Sequence, residues 1–529
     1  MSLIHEISQL ERERMAMQAE LDAGKTQSER NKLGQFSTPG LLANDILAHA
    51  IALFPHNQRV SFLDPAIGTG SFYSALCQSI PPDRIDDALG FEIDSHYHRP
   101  AAQLWAGSDL TIINRDFTKE FPVPRFNLII CNPPYVRHHH LDSSDKERMQ
   151  RMSFRTSGMK LSGLTGLYCY FLGISHAWMQ DDGIGGWLIP SEFMDVNYGR
   201  ALKNYLLNEV TLLRIHRFDP NDTQFPDALV SSAVVFFKKS KPLENHTIVF
   251  SYGGNLHQPR LLSDISSREL TDETKWTRFP TAKVRIKTKY PKISDFFQIK
   301  RGIATGDNKF FIMNRDQISE RRLPMEAFRP ILPSPRYLPC NEVLSDPTGM
   351  PMLERQLFVL DTKLPLFEIE ENHPHLFNYL EQAETGGTLD RYICRHRRPW
   401  YSQDARPPAP IVCTYLGRSD AKGGRPFRFI LNNSKATVAN VYLAMYPVGF
   451  LARSLKRNPS LIRDVWEALN ALQPYQLLDE GRVYGGGLHK LEPSELANVD
   501  ATNISRLLPD FTEFASSSQA ELFTDDFAD

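Results

Sequence analysis

Between about residue 33 and residue 240, short apolar runs alternate with helix-length segments, and this alternation constrains the fold more than any other feature of the chain. The runs are 60–63, 88–93, 110–113, 127–131, 183–190, 212–218 and 231–237. Strands separated by helical stretches imply βαβ units and a mainly parallel, Rossmann-like α/β sheet. In such a sheet, ligands bind beyond the carboxyl ends of the strands, where the βα loops gather. The chemically unusual residues of this chain stand at those ends.

The flanking regions read differently. Residues 1–32 are expected to form one helix, with Leu3, Ile7, Leu10, Met17 and Leu21 on a/d-like spacing and Arg14 interrupting the seam. Such a helix lies on its own catalytic domain or, as the alternative, forms a dimer contact. Residues 33–240 form that catalytic domain. Beyond 240 proline becomes frequent and the periodicity irregular, so 241–510 is read as a second, mixed α/β domain and 511–529 as a frayed acidic tail.

A formal net charge of -2 on 529 residues offers no global basic field, so any nucleic-acid surface is a local patch. The six cysteines show no metal-like spacing, and no signal peptide or membrane span is evident. These features predict a cytoplasmic protein without a structural metal or a membrane partner. His138, His139 and His140 are consecutive and cannot all face one ion.

The first run leads into Asp64-Pro65-Ala66-Ile67-Gly68-Thr69-Gly70. Glycines at a strand-to-helix turn let the backbone approach a ligand. No Lys-Ser/Thr follows, as a phosphate loop requires. The acidic residue instead suits a ligand with a positive amino group, such as the methionine part of S-adenosylmethionine. Glu92 at the tip of the second strand suits ribose hydroxyls. Asp116 and Phe117, after the third, pair an acceptor for an adenine amino group with a ring that can stack. Asp64, Ala66, Gly68, Gly70, Glu92, Asp116 and Phe117 together outline a nucleoside pocket.

The fourth strand ends in Asn132-Pro133-Pro134-Tyr135. Two successive prolines stiffen the turn. The Asn132 side-chain oxygen and the Pro133 carbonyl can then accept both protons of one aromatic amino group, while Tyr135 offers a face for stacking. This is positioning and electrostatic catalysis, with neither metal nor covalent intermediate. Cys131 is expected to pack in the strand.

With these motifs in order, the chain resembles the gamma-type N6-adenine-specific DNA methyltransferases of bacterial restriction–modification systems. Leu33 through Pro39 resembles the family motif that contacts the methionine part of the cofactor, which implies roles for Phe36 and Thr38. Phe225-Pro226-Asp227 resembles the last catalytic-domain motif, and by that resemblance Phe225 packs against a flipped base opposite Tyr135. The second domain is implied to be a target-recognition domain. The segment from Lys300 and Arg301 to Lys309 resembles a stretch common there, and Arg391, Arg395 and Arg398 lie among aromatics in a plausible DNA edge. The resemblance implies N6 methylation of an extruded adenine in double-stranded DNA, with S-adenosylmethionine as cofactor and a separate cognate restriction endonuclease as possible partner; monomer and dimer both stay open. The alternatives are an N4-cytosine methyltransferase and a non-catalytic DNA-specificity subunit. About 32 residues before the motifs are too few for an added nuclease, and Asp361-Thr362-Lys363 fits a nuclease signature poorly.

Overall fold

The computed structural model describes residues 3–511 apart from 124, 220–221, 223–230, 281–289, 419–424, 485–487 and 509–510. The chain divides into two compact units, one of residues 1–285 with 484–487 and one of residues 286–483 with 488–529.

Among the described residues, the first unit holds one nine-stranded sheet in the order β3-β2-β1-β4-β5-β7-β6-β8-β9. Its strands are β1 (Val60–Asp64), β2 (Ile85–Phe91), β3 (Leu110–Ile113), β4 (Phe126–Cys131), β5 (Met179–Pro190), β6 (Thr211–Arg217), β7 (Ser232–Lys238), β8 (Thr247–Gly254) and β9 (Pro259–Ser266). Every expected apolar run is a strand. From β3 through β5 all pairings are parallel, so the four loops after β1 to β4 open on one edge. Beyond β5 the sheet is mixed: β7 runs antiparallel to both β5 and β6, and β9 runs antiparallel to β8. Strands β8 and β9 beyond residue 240 extend this same sheet, which is why the first unit continues past 240.

Both faces of the sheet are covered. Phe62, Leu128 and Phe236 pack into one apolar cluster with Ile46 and Leu47, while their neighbours Leu63, Ile129 and Phe237 pack into another with Phe171 and Trp178. Successive residues of a strand point to opposite faces, so a strand buried on both sides reads as a continuous apolar run.

The N-terminal region is two helices and not one: α1 (Leu3–Ala23) and α2 (Gln27–Leu33). Thr26 interrupts them with a capping box, its side chain accepting from the Glu29 amide while the Glu29 carboxylate accepts from the Thr26 amide. A hydroxyl and a glutamate three residues apart satisfy amides that a continuous helix would leave to earlier carbonyls. Next come α3 (Gly40–Ala52), α4 (Ser71–Ser79) and α5 (Ser95–Leu104). Helix α1 packs on α4 and α5 of its own chain. Arg14 does not break an outward seam; it is 2% exposed and lies against this surface.

The second unit is mixed α/β, as expected. A five-stranded sheet runs Phe297–Arg301, Tyr442–Pro447, Ile411–Thr414, Phe429–Asn432, Glu342–Val343, beside a three-stranded one of Ile312–Met313, Leu357–Leu360 and Phe328–Ile331. No helix among the described residues is long and apolar enough to cross a membrane.

One buried polar cluster lies between β6 and β8. Arg214 donates through Nε and Nη2 to Ser251 Oγ at 3.1 and 3.0 Å, and through Nη2 to the Leu256 carbonyl at 2.7 Å. His216 shares Ser251 Oγ through Nδ1 at 2.9 Å. Burial, and then the Arg214 charge, push the His216 imidazole from 6.5 down to about 3. A ring neutral in the folded chain and protonated in the unfolded one stabilises the fold fully above pH 6.5, and this contribution is lost as the pH falls towards 3. By pH 4 the loss is on the order of 3 kcal/mol. Denaturant titrations of the unmodified chain and His216→Asn, whose amide can reproduce the bond to Ser251, should therefore converge in slope above pH 7 and diverge below pH 6, the variant losing less.

Candidate active site

The loop from β1 to α4 turns through two left-handed glycines, Gly68 at φ 57° and Gly70 at φ 90°. Any side chain there costs about 1 kcal/mol or more, before contacts are counted. A Cβ at Gly70 would lie 2.5 Å from Trp105 Nε1, whereas one at Gly68 would meet nothing within 4 Å. The loop is therefore packed from below and open above. Asp64 is 1% exposed and accepts from the Ala66 amide at 3.0 Å, and the Cys131 thiol also bonds to it. Burial pushes its carboxyl up to about 7. Glu92 accepts from the Gly68 amide at 3.2 Å and the Asp94 amide at 2.7 Å, and burial likewise raises it to about 7. The loops after β1 and β2 are thus joined by a carboxylate of one bonded to the backbone of the other.

After β3, Asp116 accepts at Oδ1 from both the amide and the hydroxyl of Thr118, at 2.9 and 2.7 Å. Its Oδ2 lies 3.7 Å from Lys119 and 4.0 Å from Arg148. Phe117 departs from its expected stacking role. With 1% of its surface exposed, its ring sits among Phe91, Phe171 and Trp178, at centroid distances of 5.4 to 5.5 Å, and shows no open face to a ligand. An acid followed by an aromatic after a strand marks proximity, but Asp116 caps the short 3-10 turn Phe117–Lys119 while the Phe117 ring packs into the core.

The loop after β4 is held by the segment before α3. Asn132 Nδ2 donates to the Phe36 carbonyl at 2.9 Å and to Thr38 Oγ1 at 3.1 Å. Its Oδ1 is buried and has no hydrogen-bond partner among the described residues. The Tyr135 amide donates to the Gly34 carbonyl at 3.2 Å, and the Tyr135 hydroxyl to the Leu188 carbonyl at 3.0 Å. Its ring lies 5.9 Å from that of Phe36. Pro133 is buried. Cys131 is fully buried, its thiol raised well above the usual range by burial and by Asp64. Because β1 and β4 are neighbours, the glycine loop and the Asn132 loop stand side by side where the strand order reverses, the place where open α/β sheets bind ligands. Phe225 lies outside the described residues.

Sequence reasoning missed the groups that hold these loops from outside: Glu11, Arg14 and Gln18 on α1, and Trp105 after α5. The one signal available was a charged residue in an otherwise apolar seam.

In the second unit, Lys309 and Arg391 line one cleft of about 760 Å³ together with Thr305, Asp307, Arg321 and Asn440. Arg391 is exposed and stands 3.9 Å from Asp307. Lys300 is exposed on its strand, and Arg301 lies over the Tyr415 ring at 4.1 Å. Arg395 pairs with Asp390 at 2.8 Å. Arg398 donates to the carbonyls of Arg395 and Arg397 at 2.9 and 2.7 Å. Arg397 stitches the two basic segments, bonding to the Thr305 and Ala304 carbonyls and to Gln403.

Two family models match the chain. One described as Eco57I restriction-modification methylase covers residues 92–225, and one described as the C-terminal domain of the type II methyltransferase M.Eco57I covers residues 277–524. The chain is 27% identical to the type II methyltransferase M.XamI of Xanthomonas campestris pv. amaranthicola, over 90% of this chain and 86% of that protein. It is 25% identical to the type II methyltransferase M.AccI of Acinetobacter calcoaceticus, over 88% and 85%. It is also similar to a solved structure of the type IIG restriction endonuclease BpuSI, at 15% identity and a TM-score of 0.43, over 88% of this chain and 58% of that one.

The contact between Gly34 and the Asn132 loop is testable by itself. Gly34 has φ 65°, and a Cβ there would lie 2.5 Å from the Tyr135 amide nitrogen. Gly34→Ala should lower stability by about 1–2 kcal/mol or more through left-handed strain and displacement of the loop. Thermal unfolding of this variant beside Gly163→Ala, where a Cβ meets nothing within 4 Å, is the measurement, and equal melting temperatures would contradict it.

Proposed function

Since the chain belongs to the restriction–modification type II methyltransferase family, we propose that it transfers a methyl group from S-adenosylmethionine to N6 of an adenine extruded from double-stranded DNA. The observation that carries this reading is the Asn132 amide: both its tethers hold Nδ2, and Oδ1 is left buried and unpartnered. Leaving a buried acceptor unsatisfied costs about 1–3 kcal/mol. A non-catalytic specificity subunit has no use for that cost. An amino group that arrives as a reactant repays it.

The residues fit the cofactor. The open top of the Gly68 turn admits a ligand against backbone, and Glu92 stands beside it as an acceptor suited to ribose hydroxyls. Asp64 shapes the turn by accepting from the Ala66 amide, Phe36 and Thr38 are bonded to Asn132, and the proposal assigns Asp116 to the nucleoside side. When bound, S-adenosylmethionine supplies an already activated methyl group. The protein's own contribution is to orient the amino nitrogen. Asn132 Oδ1 and the Pro133 carbonyl accept its two protons, which favours a pyramidal nitrogen with its lone pair free. Tyr135 and, by resemblance, Phe225 sandwich the base. A base inside a duplex cannot reach such a site, so extrusion accompanies binding. Cys131, buried and bonded to Asp64, is no nucleophile, which favours an exocyclic nitrogen over a ring carbon. The Asn-Pro-Pro-Tyr loop favours adenine over cytosine N4 by resemblance alone.

Sequence choice and phosphate contact fall to the second unit, with Lys300, Arg301, Lys309 and Arg391 presenting cationic groups. Asp361, the acid of the nuclease-like triplet Asp361-Thr362-Lys363, is engaged by Arg329 at 2.7 Å and accepts from the Gln403 amide at 2.9 Å, which favours a separate endonuclease for any cleavage.

Asn132→Ala should reduce methyl transfer by about 10²-fold or more while cofactor and DNA affinity stay within a few fold. The product of the unmodified chain acting on duplex DNA in EDTA, identified by mass spectrometry, should be N6-methyladenine, and N4-methylcytosine alone would refute the assignment. Lys309→Ala and Arg391→Ala should each weaken binding to all duplexes and reduce the salt slope by about one unit. Arg395→Ala and Arg398→Ala, whose guanidinium groups are engaged within the chain, should change it less.

A further inference from the structure

Resting on this reading of the cofactor site, we infer that α1 is a brace for the glycine loop, in which Arg14 and Gln18 position Thr69 and thereby set the affinity for S-adenosylmethionine.

Thr69 stands between the two left-handed glycines and is 1% exposed. Its hydroxyl donates to Gln18 Oε1 at 2.6 Å and accepts from Arg14 Nη1 at 3.1 Å. Its carbonyl accepts from Trp105 Nε1 at 2.9 Å. The hydroxyl and the carbonyl of Thr69 are thus clamped by side chains from outside the loop. Arg14 is itself fixed in a fork by Glu11, Nε to Oε2 at 2.7 Å and Nη2 to Oε1 at 2.8 Å, and Glu11 Oε2 also accepts from the Ser74 hydroxyl on α4. Glu11, Arg14 and Gln18 are three and four residues apart and share one helix face. The chain of bonds continues along that face: Gln18 Nε2 donates to Asp22 at 3.0 Å, and Asp22 accepts from the Tyr97 hydroxyl on α5 at 2.8 Å.

A helix packed here for stability alone would carry an apolar residue at position 14, as it does at Leu10, Met17 and Leu21. Taking a guanidinium and a carboxylate out of water is unfavourable unless geometry and further bonds offset it, and an apolar replacement is often as stable or more so. What the ion pair adds is direction. Glycines have the widest conformational range of any residue, so a turn containing two of them does not hold its amides in one orientation unaided. Fixing Thr69 removes that freedom before the ligand arrives, and preorganisation of this kind appears as affinity. Arg14 and Gln18 are positioning residues: they act through Thr69 and touch no reactant.

The test is isothermal titration of the full chain with S-adenosylmethionine, together with steady-state kinetics. Gln18→Leu, Arg14→Met and Thr69→Val should each weaken cofactor binding by about tenfold and raise KM for the cofactor to match, with kcat at saturation within about twofold and DNA affinity unchanged. Gln18→Leu and Thr69→Val combined should be no weaker than the worse single change, because both remove the same bond. Gln18→Leu leaves no buried charge unpaired, so it carries the test if Arg14→Met fails to fold. Variants that melt earlier yet bind cofactor as the unmodified chain does would overturn the inference, as would independent, multiplying effects in the double variant. Absence of S-adenosylmethionine binding by the unmodified chain would overturn the reading of the site itself, and this inference with it.

Discussion

The side-chain amide of Asn132 is held by its nitrogen, and much of the catalytic edge depends on that. The Phe36 carbonyl can only accept a hydrogen bond, so the group facing it is the NH2 end and the oxygen is the end left over. The tether also joins two stretches distant in sequence. With the Tyr135 amide on the Gly34 carbonyl, the loop after β4 and the segment leading into α3 form one backbone-to-backbone unit. Displacing either moves both the loop proposed to bind the base and the segment proposed to border the cofactor, which is why a single methyl at Gly34 is expected to be felt across the site.

The sheet supplies the frame for this unit. Parallel strands from β3 to β5 deliver four loops to one edge, and the reversal of order between β1 and β4 opens the crevice in which two of them stand. Apolar clusters on both faces keep the strands from shifting. The edge is then tied crosswise by carboxylates, Glu92 to the Gly68 amide and Asp64 to Cys131, so the loops are cross-linked by buried acids.

How much of this could be read in the residues depended on whether a feature had a local signature. Strands buried on both faces leave continuous apolar runs, and each such run in the first 240 residues is a strand. The reversal of β7 left no such mark, since direction is set by the connection and not by composition. The extension through β8 and β9 was hidden because β9 alternates weakly, with Leu261 and Leu262 exposed. The break at Thr26 was written as a capping box but masked by the longer heptad-like spacing around it. Phe117 was adjacent to the right loop and facing the wrong way, and Arg14 read as a flaw in a seam because one of its partners, Thr69, lies more than fifty residues on. In the second unit, the arginines were countable in the sequence; which of them are engaged by Asp390 or by carbonyls was not.

The two buried acids have a consequence for how the site exchanges ligands. Asp64 and Glu92 both sit near 7, so at neutral pH the pair is only partly ionised. A cation entering beside them favours the charged forms, and the site therefore takes up positive charge by expelling protons to the solvent. Calorimetric heats of such an uptake vary with the ionisation enthalpy of the buffer.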